Sequence, residues 1–218
     1  MWCIPTVGSE FVWRMEDVLD LYAEPFDPQR PQVCFDERPT QLLGEVHAPL
    51  PARPGQVRRV DYEYARHGTA NLFMMCQPLA GWREVKVTTQ RRKVDFAHCM
   101  KDLVDVHFPE AVIIRVVLDN LNTHTPGALY EAFPPAQARR ILRKLEFHYT
   151  PKHGSWLNMA EIEISVLSRQ CLKQRIGTMM RLEEVTQYWT TRRNDQQATI
   201  TWCFDVAQAR TKLARLYP

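Results

Sequence analysis

Three acids in this 218-residue chain stand where carboxylates could act together on a metal ion and a phosphate. Asp36 closes the short apolar run Val33-Cys34-Phe35, and Asp119 closes the longer run from Ala111 to Leu118. Glu161 lies one turn into a helix announced by Gly154-Ser155-Trp156-Leu157-Asn158. Two carboxylates at strand ends and a third on a following helix can meet at one point, and such hard oxygens suit magnesium or manganese. Phosphodiester cleavage needs a more acidic attacking water and a stabilised leaving oxygen, which a pair of divalent ions supplies. Without metal the crowding is costly, because two unit charges about 4 Å apart repel by about 4 kcal/mol at an effective dielectric of about 20. The expected chemistry is metal-dependent attack on DNA phosphodiesters, with metal measurably stabilising the fold.

Each acid also has a purely structural explanation. Asp36 could begin a turn before Pro39, and Asp119 could be a turn residue of Asp119-Asn120-Leu121-Asn122-Thr123-His124. Asn158-x-x-Glu161 is a capping-box pattern. Asn158, Glu161, Ser165 and Ser168 form one polar stripe at helical spacing, which turns Glu161 to a cleft or to solvent. Glu163 is spaced with Met159, Val166 and Leu167 and ranks second for the catalytic role. Asn120, His124, Asn158 and Glu163 are the candidate accessory residues. His124 and His153 could polarise a phosphate, orient water or merely sit in turns, and no spacing supports zinc ligation by them. Candidate DNA phosphate contacts are Arg91, Arg92, Arg139, Arg140, Lys152, Lys173 and Arg175, although surface solubility explains such residues equally well.

The elements that must position these groups read as follows. Glu10 to Ala23 has helical apolar spacing, and Pro25, Pro28 and Pro31 then lead into the strand of Asp36. The proline-rich stretch from Pro49 to Gly55 is a loop. Asn71 to Cys76 and Val85 to Thr89 pair as antiparallel strands around Ala80-Gly81. Asp95 caps a helix. Ala111 to Leu118 is too continuously apolar for a half-exposed strand and reads as a strand covered on both faces. Helices start at Thr125-Pro126 and at Pro135, followed by a short strand at Glu146 to Tyr149, a turn at Pro151 to Gly154 and the helix of Glu161. Two more helices span roughly Leu182 to Arg193 and Asp205 to Leu216. This order argues for a mixed α/β sheet flanked by helices, with sites beyond the carboxyl ends of its strands.

The bulk numbers bound the partners. At this length the chain supports one good core with helical additions. No apolar run reaches membrane-spanning length, because Arg115 interrupts the best candidate. Met1-Trp2-Cys3-Ile4-Pro5 has no basic start, so no signal peptide is expected. The six cysteines, Cys3, Cys34, Cys76, Cys99, Cys171 and Cys203, contain no Cys-x-x-Cys pair and suggest reduced, buried thiols in a cytosolic setting. From Arg139 onward there are 14 Lys and Arg against 7 Asp and Glu, whereas the first 138 residues hold 14 against 18. That asymmetry points to a polyanion contacted by the C-terminal third, although solvated helix faces would give the same pattern.

Three strings taken together resemble a known family. Cys34-Phe-Asp36-Glu-Arg-Pro39, Val117-Leu-Asp119-Asn-Leu-Asn-Thr-His124 and His153-Gly-Ser-Trp-Leu-Asn-Met-Ala-Glu161-Ile-Glu163 are similar to the catalytic region of bacterial insertion-sequence transposases of the mariner-like superfamily, the six-thirty insertion-sequence family. Ala209 to Pro218 resembles the end of such proteins. The resemblance implies a ribonuclease-H-like fold over residues 31–175, with helical extensions at 1–30 and 176–218. It implies an Asp-Asp-Glu triad of Asp36, Asp119 and Glu161 holding two Mg2+ or Mn2+ ions. It also implies cleavage of double-stranded DNA at inverted-repeat ends and strand transfer, usually to a TA target, by a homodimer at the bacterial nucleoid in the cytoplasm. Relatives begin with a helix-turn-helix region, and nothing before Glu10 could form one. The expectation is therefore a recognition partner encoded in a separate frame, a truncated remnant or a catalytic fragment. The competing functions are a non-catalytic regulator that binds DNA or a full-length transposase, and another nuclease on the same fold.

Overall fold

The computed structural model describes residues 8–218, so the readings made on Met1 to Pro5, Cys3 included, lie outside the described residues. Five strands form one sheet in the order β3-β2-β1-β4-β5. The strands are β1 (Gln32–Glu45), β2 (Tyr64–Gln77), β3 (Trp82–Thr88), β4 (Ile114–Leu118) and β5 (Leu145–Tyr149). The first three pair antiparallel, while β4 runs parallel to both β1 and β5. Among the described residues seven α-helices flank the sheet: α1 (Ser9–Ala23), α2 (Lys93–Asp102), α3 (Gly127–Ala132), α4 (Pro135–Leu142), α5 (Ala160–Gln170), α6 (Met179–Asp195) and α7 (Val206–Lys212). A turn of π-helix (Leu103–His107) continues α2, and a short 3-10 turn (Ser155–Leu157) precedes α5.

Strand alternation sorts the apolar residues into two cores, because successive side chains point to opposite faces. Cys34, Leu72, Met74, Cys76 and Val117 face α1, α5, α6 and α7. Val33, Phe35, Phe73, Met75, Ile114, Val116 and Leu118 face α2, α3 and α4. All five residues of β4 are buried, as expected for a strand covered on both sides. Arg115 fits inside it because its guanidinium is held by Glu24 and by the Arg30 carbonyl oxygen at 2.6 Å. The helices at both ends of the described chain share one core with the sheet.

Three local expectations are corrected. β1 does not end at Asp36 but continues to Glu45, so Asp36 is a mid-strand residue and begins no turn. The extension is possible because β1 pairs with β4 only over Gln32 to Cys34 and with β2 alone beyond that point. Pro39 therefore needs a partner on one side only, which a residue without an N–H can tolerate. Asp95 is not the cap of α2 but sits in its first turn, accepting a 2.7 Å hydrogen bond from the Arg92 N–H. Pro126 occupies the cap of α3, one position earlier than expected.

Candidate active site

β1 and β4 set the first two acids. Their parallel register pairs Val33 with Val116 and Cys34 with Val117, so Asp36 and Asp119 each lie two residues beyond the last of these pairs. Adjacent strands lie about 4.8 Å apart. Asp36 falls on the same face as Cys34, the face covered by α5, and α5 carries Glu161 in its first turn. The two are tied by Asn158, whose side-chain amide donates to the Phe35 carbonyl at 2.8 Å and approaches Asp36 Oδ2 at 3.4 Å. Asn158 Oδ1 in turn accepts from the Ala160 N–H at 3.1 Å. The cap of α5 is Met159, with no side-chain hydrogen bond to it, so the capping box expected of Asn158 and Glu161 is not formed, and the Asn158 amide is turned to the acid strand instead. Glu161 is exposed, as its place in the polar stripe requires.

The two strand acids sit in opposite electrostatic settings. Burial pushes the Asp36 carboxyl up to about 7, and the negative charges of Glu161, Glu37 and Asp119 add to the effect against the Glu37 N–H, which donates to Asp36 at 2.8 Å. Asp119 behaves in the opposite way. Burial opposes its ionisation, but the hydrogen bond and charge of His124, with the Leu121 N–H at 3.1 Å and the charge of Arg91, hold its carboxyl below the usual range.

His124 is a larger part of the site than its turn position suggested. It is buried, packs edge-on against Phe35 at 5.2 Å and lies over Phe96 at 5.0 Å. Its Nδ1 lies 2.6 Å from Asp119 Oδ1, and its Nε2 lies 3.0 Å from Glu37 Oε2, a close ionic contact without straight hydrogen-bond geometry. Burial disfavours the imidazolium, yet these two acids outweigh it and push the ring up to about 9. Glu37 was not singled out in the sequence. Its signal was adjacency to Asp36: on a strand the neighbour of a functional acid faces the opposite side.

Other candidates divide sharply. Asn120 accepts from Arg14 Nη1 at 2.7 Å and donates to the Thr150 carbonyl, which ties α1 to the Asp119 loop. Arg91 is half exposed and lies 3.5 Å from Glu37, at the rim of the acid cluster. Arg92 stays beside Asp95 at the start of α2. Arg139, Lys152 and Lys173 are exposed, and so is His153, whose φ of 66° marks it as a turn residue. Arg140 is committed to a two-pronged pair with Asp105 at 2.7 and 2.9 Å. Arg175 is committed to Glu45 and to the carbonyls of Asp61 and Glu63, strapping the end of the β1–β2 hairpin. Glu163 is fully buried on the opposite side of α5 from Glu161, held by Arg193 at 2.8 and 3.1 Å and by Arg83 at 3.4 Å. Its place is that of a structural counter-ion rather than an accessory acid.

The donor set, hard oxygens around a carboxyl burdened by like charges, fits a divalent cation. Among the described residues, no three His, Cys, Asp or Glu side chains stand together as a ready-made ligand shell. Asp36 and Asp119 lie at the neighbouring strands β1 and β4, and Glu161 lies on the helix over the Asp36 face.

The five described cysteines are free, four buried and Cys203 exposed. No helix among the described residues is long and apolar enough to cross a membrane.

Comparison with known proteins bears on the fold and the family. No curated protein matches the chain in sequence. Among solved structures, the chain is similar to the Mos1 mariner paired end complex with Mn at 15% identity and a TM-score of 0.58, covering 91% of this chain and 60% of that one. The Mos1 strand transfer complex matches at 11% identity and 0.58, over 91% and 61%. A pre-cleavage Mos1 transpososome matches at 12% and 0.56, over 91% and 64%. The chain thus spans about three-fifths of the length of those proteins. The shared fold is the ribonuclease-H-like one, a five-stranded mixed sheet flanked by helices. Residues 31–183, which carry β1 through the start of α6 and all three acids, match the family model described as DDE superfamily endonuclease, and the chain belongs to that family.

Proposed function

We propose that this chain is the catalytic core of a DNA transposase of the bacterial six-thirty insertion-sequence type. It would cut phosphodiesters at the inverted-repeat ends of its element and join the freed ends to target DNA at TA. Residues 31–175 would form the catalytic unit, with 1–30 and 176–218 as its helical flanks. The observation that carries this reading is placement: Asp119 follows the strand that runs parallel to β1, and α5, with Glu161 in its first turn, covers the β1 face that carries Asp36. The Asp36 carboxyl is pushed up to about 7 by burial together with the charges of Glu161 and Asp119, residues brought from distant parts of the chain. The Mos1 complexes with Mn and with Mg lend support for divalent ions of this kind.

Asp36, Asp119 and Glu161 would hold two Mg2+ or Mn2+ ions. When bound, such ions acidify the attacking water or hydroxyl and stabilise the leaving oxygen. The chain's own groups prepare that step. His124 keeps Asp119 ionised and fixed in orientation, Asn158 restrains Asp36, and Arg91 stands at the rim where a phosphate would approach. Arg92, Arg139, Lys152 and Lys173 remain available to the DNA backbone. The working assembly would be a homodimer on double-stranded DNA in the bacterial cytoplasm, at the nucleoid, with a helix-turn-helix partner supplied from a separate frame.

Nicking of an inverted-repeat duplex in Mg2+ tests this reading. The chain with its recognition partner should nick, and Asp119→Asn should abolish nicking with the fold intact. Nicking retained by Asp119→Asn would overturn the assignment. A folded chain that never nicks and inhibits a full-length relative would instead be a regulator.

A further inference from the structure

A groove of about 640 Å3 opens on the opposite side of α5 from Glu161, between the end of α5 and one face of α6. Its volume falls in the range of small-ligand sites, roughly 300 to 1,000 Å3. Arg181, Tyr188 and Arg192 recur along α6 at spacings that place them on one stripe. Gln170 and Gln174 face them from the end of α5. The floor is Trp189, only 5% exposed, whose indole N–H donates to Gln170 Oε1 at 2.9 Å, leaving its ring as a fixed surface. Tyr188, in contrast, is 71% exposed on the rim.

The charge around the groove is unbalanced. Arg193 lies over the Trp189 ring at 5.5 Å and shares with Arg83 the one carboxylate it pairs with among the described residues, Glu163. Two guanidiniums on one acid leave a positive excess behind the wall, and Arg83 Nε is buried without a hydrogen bond. Arg181 pairs with Glu184 at 3.0 Å, whereas Arg192 makes no ion pair among the described residues and faces the groove. A free arginine, an exposed flat ring and amide side chains are the parts of a site that takes a phosphate and stacks an unpaired base.

We propose that this groove binds single-stranded DNA, with a phosphate on Arg192 and a base against Tyr188, as a second nucleic-acid site apart from the carboxylate cluster. The proposal rests on the reading that the chain acts on DNA. It does not depend on metal or cleavage.

Fluorescence anisotropy of a labelled single-stranded oligonucleotide in EDTA tests it, using the full chain and three variants. Arg192 and Tyr188 are exposed, so their replacement leaves the core untouched, and thermal melting checks this. Tyr188→Ala should weaken binding by roughly tenfold. Arg192→Glu should weaken it by at least as much and flatten the slope of log K against log salt by about 0.7. Glu184→Gln should tighten it, which a merely structural role would not do. Binding unchanged in Arg192→Glu and Tyr188→Ala, or equal affinity for a duplex of the same length, would overturn the proposal. Cleavage in Mg2+, measured in parallel, separates the outcomes: lost groove binding with intact nicking touches this site alone, and absent nicking with intact groove binding touches only the transposase reading.

Discussion

Nδ1 of His124 lies 2.6 Å from Oδ1 of Asp119, while its other ring nitrogen lies 3.0 Å from Glu37. One buried imidazolium therefore joins the acid at the end of β4 to an acid on the face of β1 opposite Asp36. A protein that gathers carboxylates for a metal must keep them apart from one another until the ion arrives. Here two of them share the one positive charge of the histidine, while Asp36 and Glu161 make no ion pair among the described residues.

His124→Ala should lower stability by about 3 kcal/mol, because it leaves Glu37 and Asp119 partly buried without a cation. Equilibrium urea unfolding measures this. The same variant should bind Mn2+ roughly 10 to 100-fold more weakly, as expected when a group orienting a ligand is lost. An unchanged unfolding midpoint would mean that His124 is a turn residue only.

Asp36 makes the metal-free fold sensitive to pH. Its carboxyl is raised from 3.8 to about 7, so its contribution is fully present below about pH 4 and is lost as pH rises through about 7. The full loss is of order 4 kcal/mol at 1.36 kcal/mol per unit. Melting in EDTA should fall between pH 5 and pH 8, excess Mg2+ should restore the midpoint at pH 8, and Asp36→Asn should be indifferent to both. His124 acts in a higher window. It is raised to about 9, so its contribution is present below about 6.5 and lost as pH climbs through 9. A further drop above pH 8 that disappears in His124→Gln would isolate it.

Glu163→Gln should cost about 3 to 5 kcal/mol, since Arg83 and Arg193 would share no carboxylate in a largely buried place. Metal-dependent nicking should survive at low temperature. Loss of nicking without loss of stability would give Glu163 a chemical role.

Arg14→Ala should change stability by under about 1 kcal/mol, as the side chain is partly exposed. It should slow nicking by about tenfold through Asn120, which Arg14 holds at 2.7 Å beside Asp119. Rates equal to those of the parent chain would show that α1 has no part in setting the Asp119 loop.

The sequence was most informative where one segment decided its own fate. The apolar stretch ending in Asp119 announced a strand buried on both faces, and Pro135 marked the start of α4. It was least informative where partners lie far apart. The pairing of Glu163 with Arg83 and Arg193 leaves no local signal, so helical spacing alone could not separate a counter-ion from an accessory acid. The length of β1 was hidden by Pro39, because a proline reads as a strand end unless the missing partner strand on that side is known. His124 was legible as a polar residue near an acid and Glu37 was not, because their meeting beside Asp119 depends on how the loop after β4 folds back over Phe35.

The central claim is that Asp36, Asp119 and Glu161 share a divalent cation. The most direct test is a crystal structure of the chain grown with Mn2+ and examined by anomalous scattering. The account predicts a manganese peak about 2 Å from oxygens of Asp36 and of at least one of the other two acids. A peak elsewhere, or carboxylates that stay apart at saturating Mn2+, would contradict it.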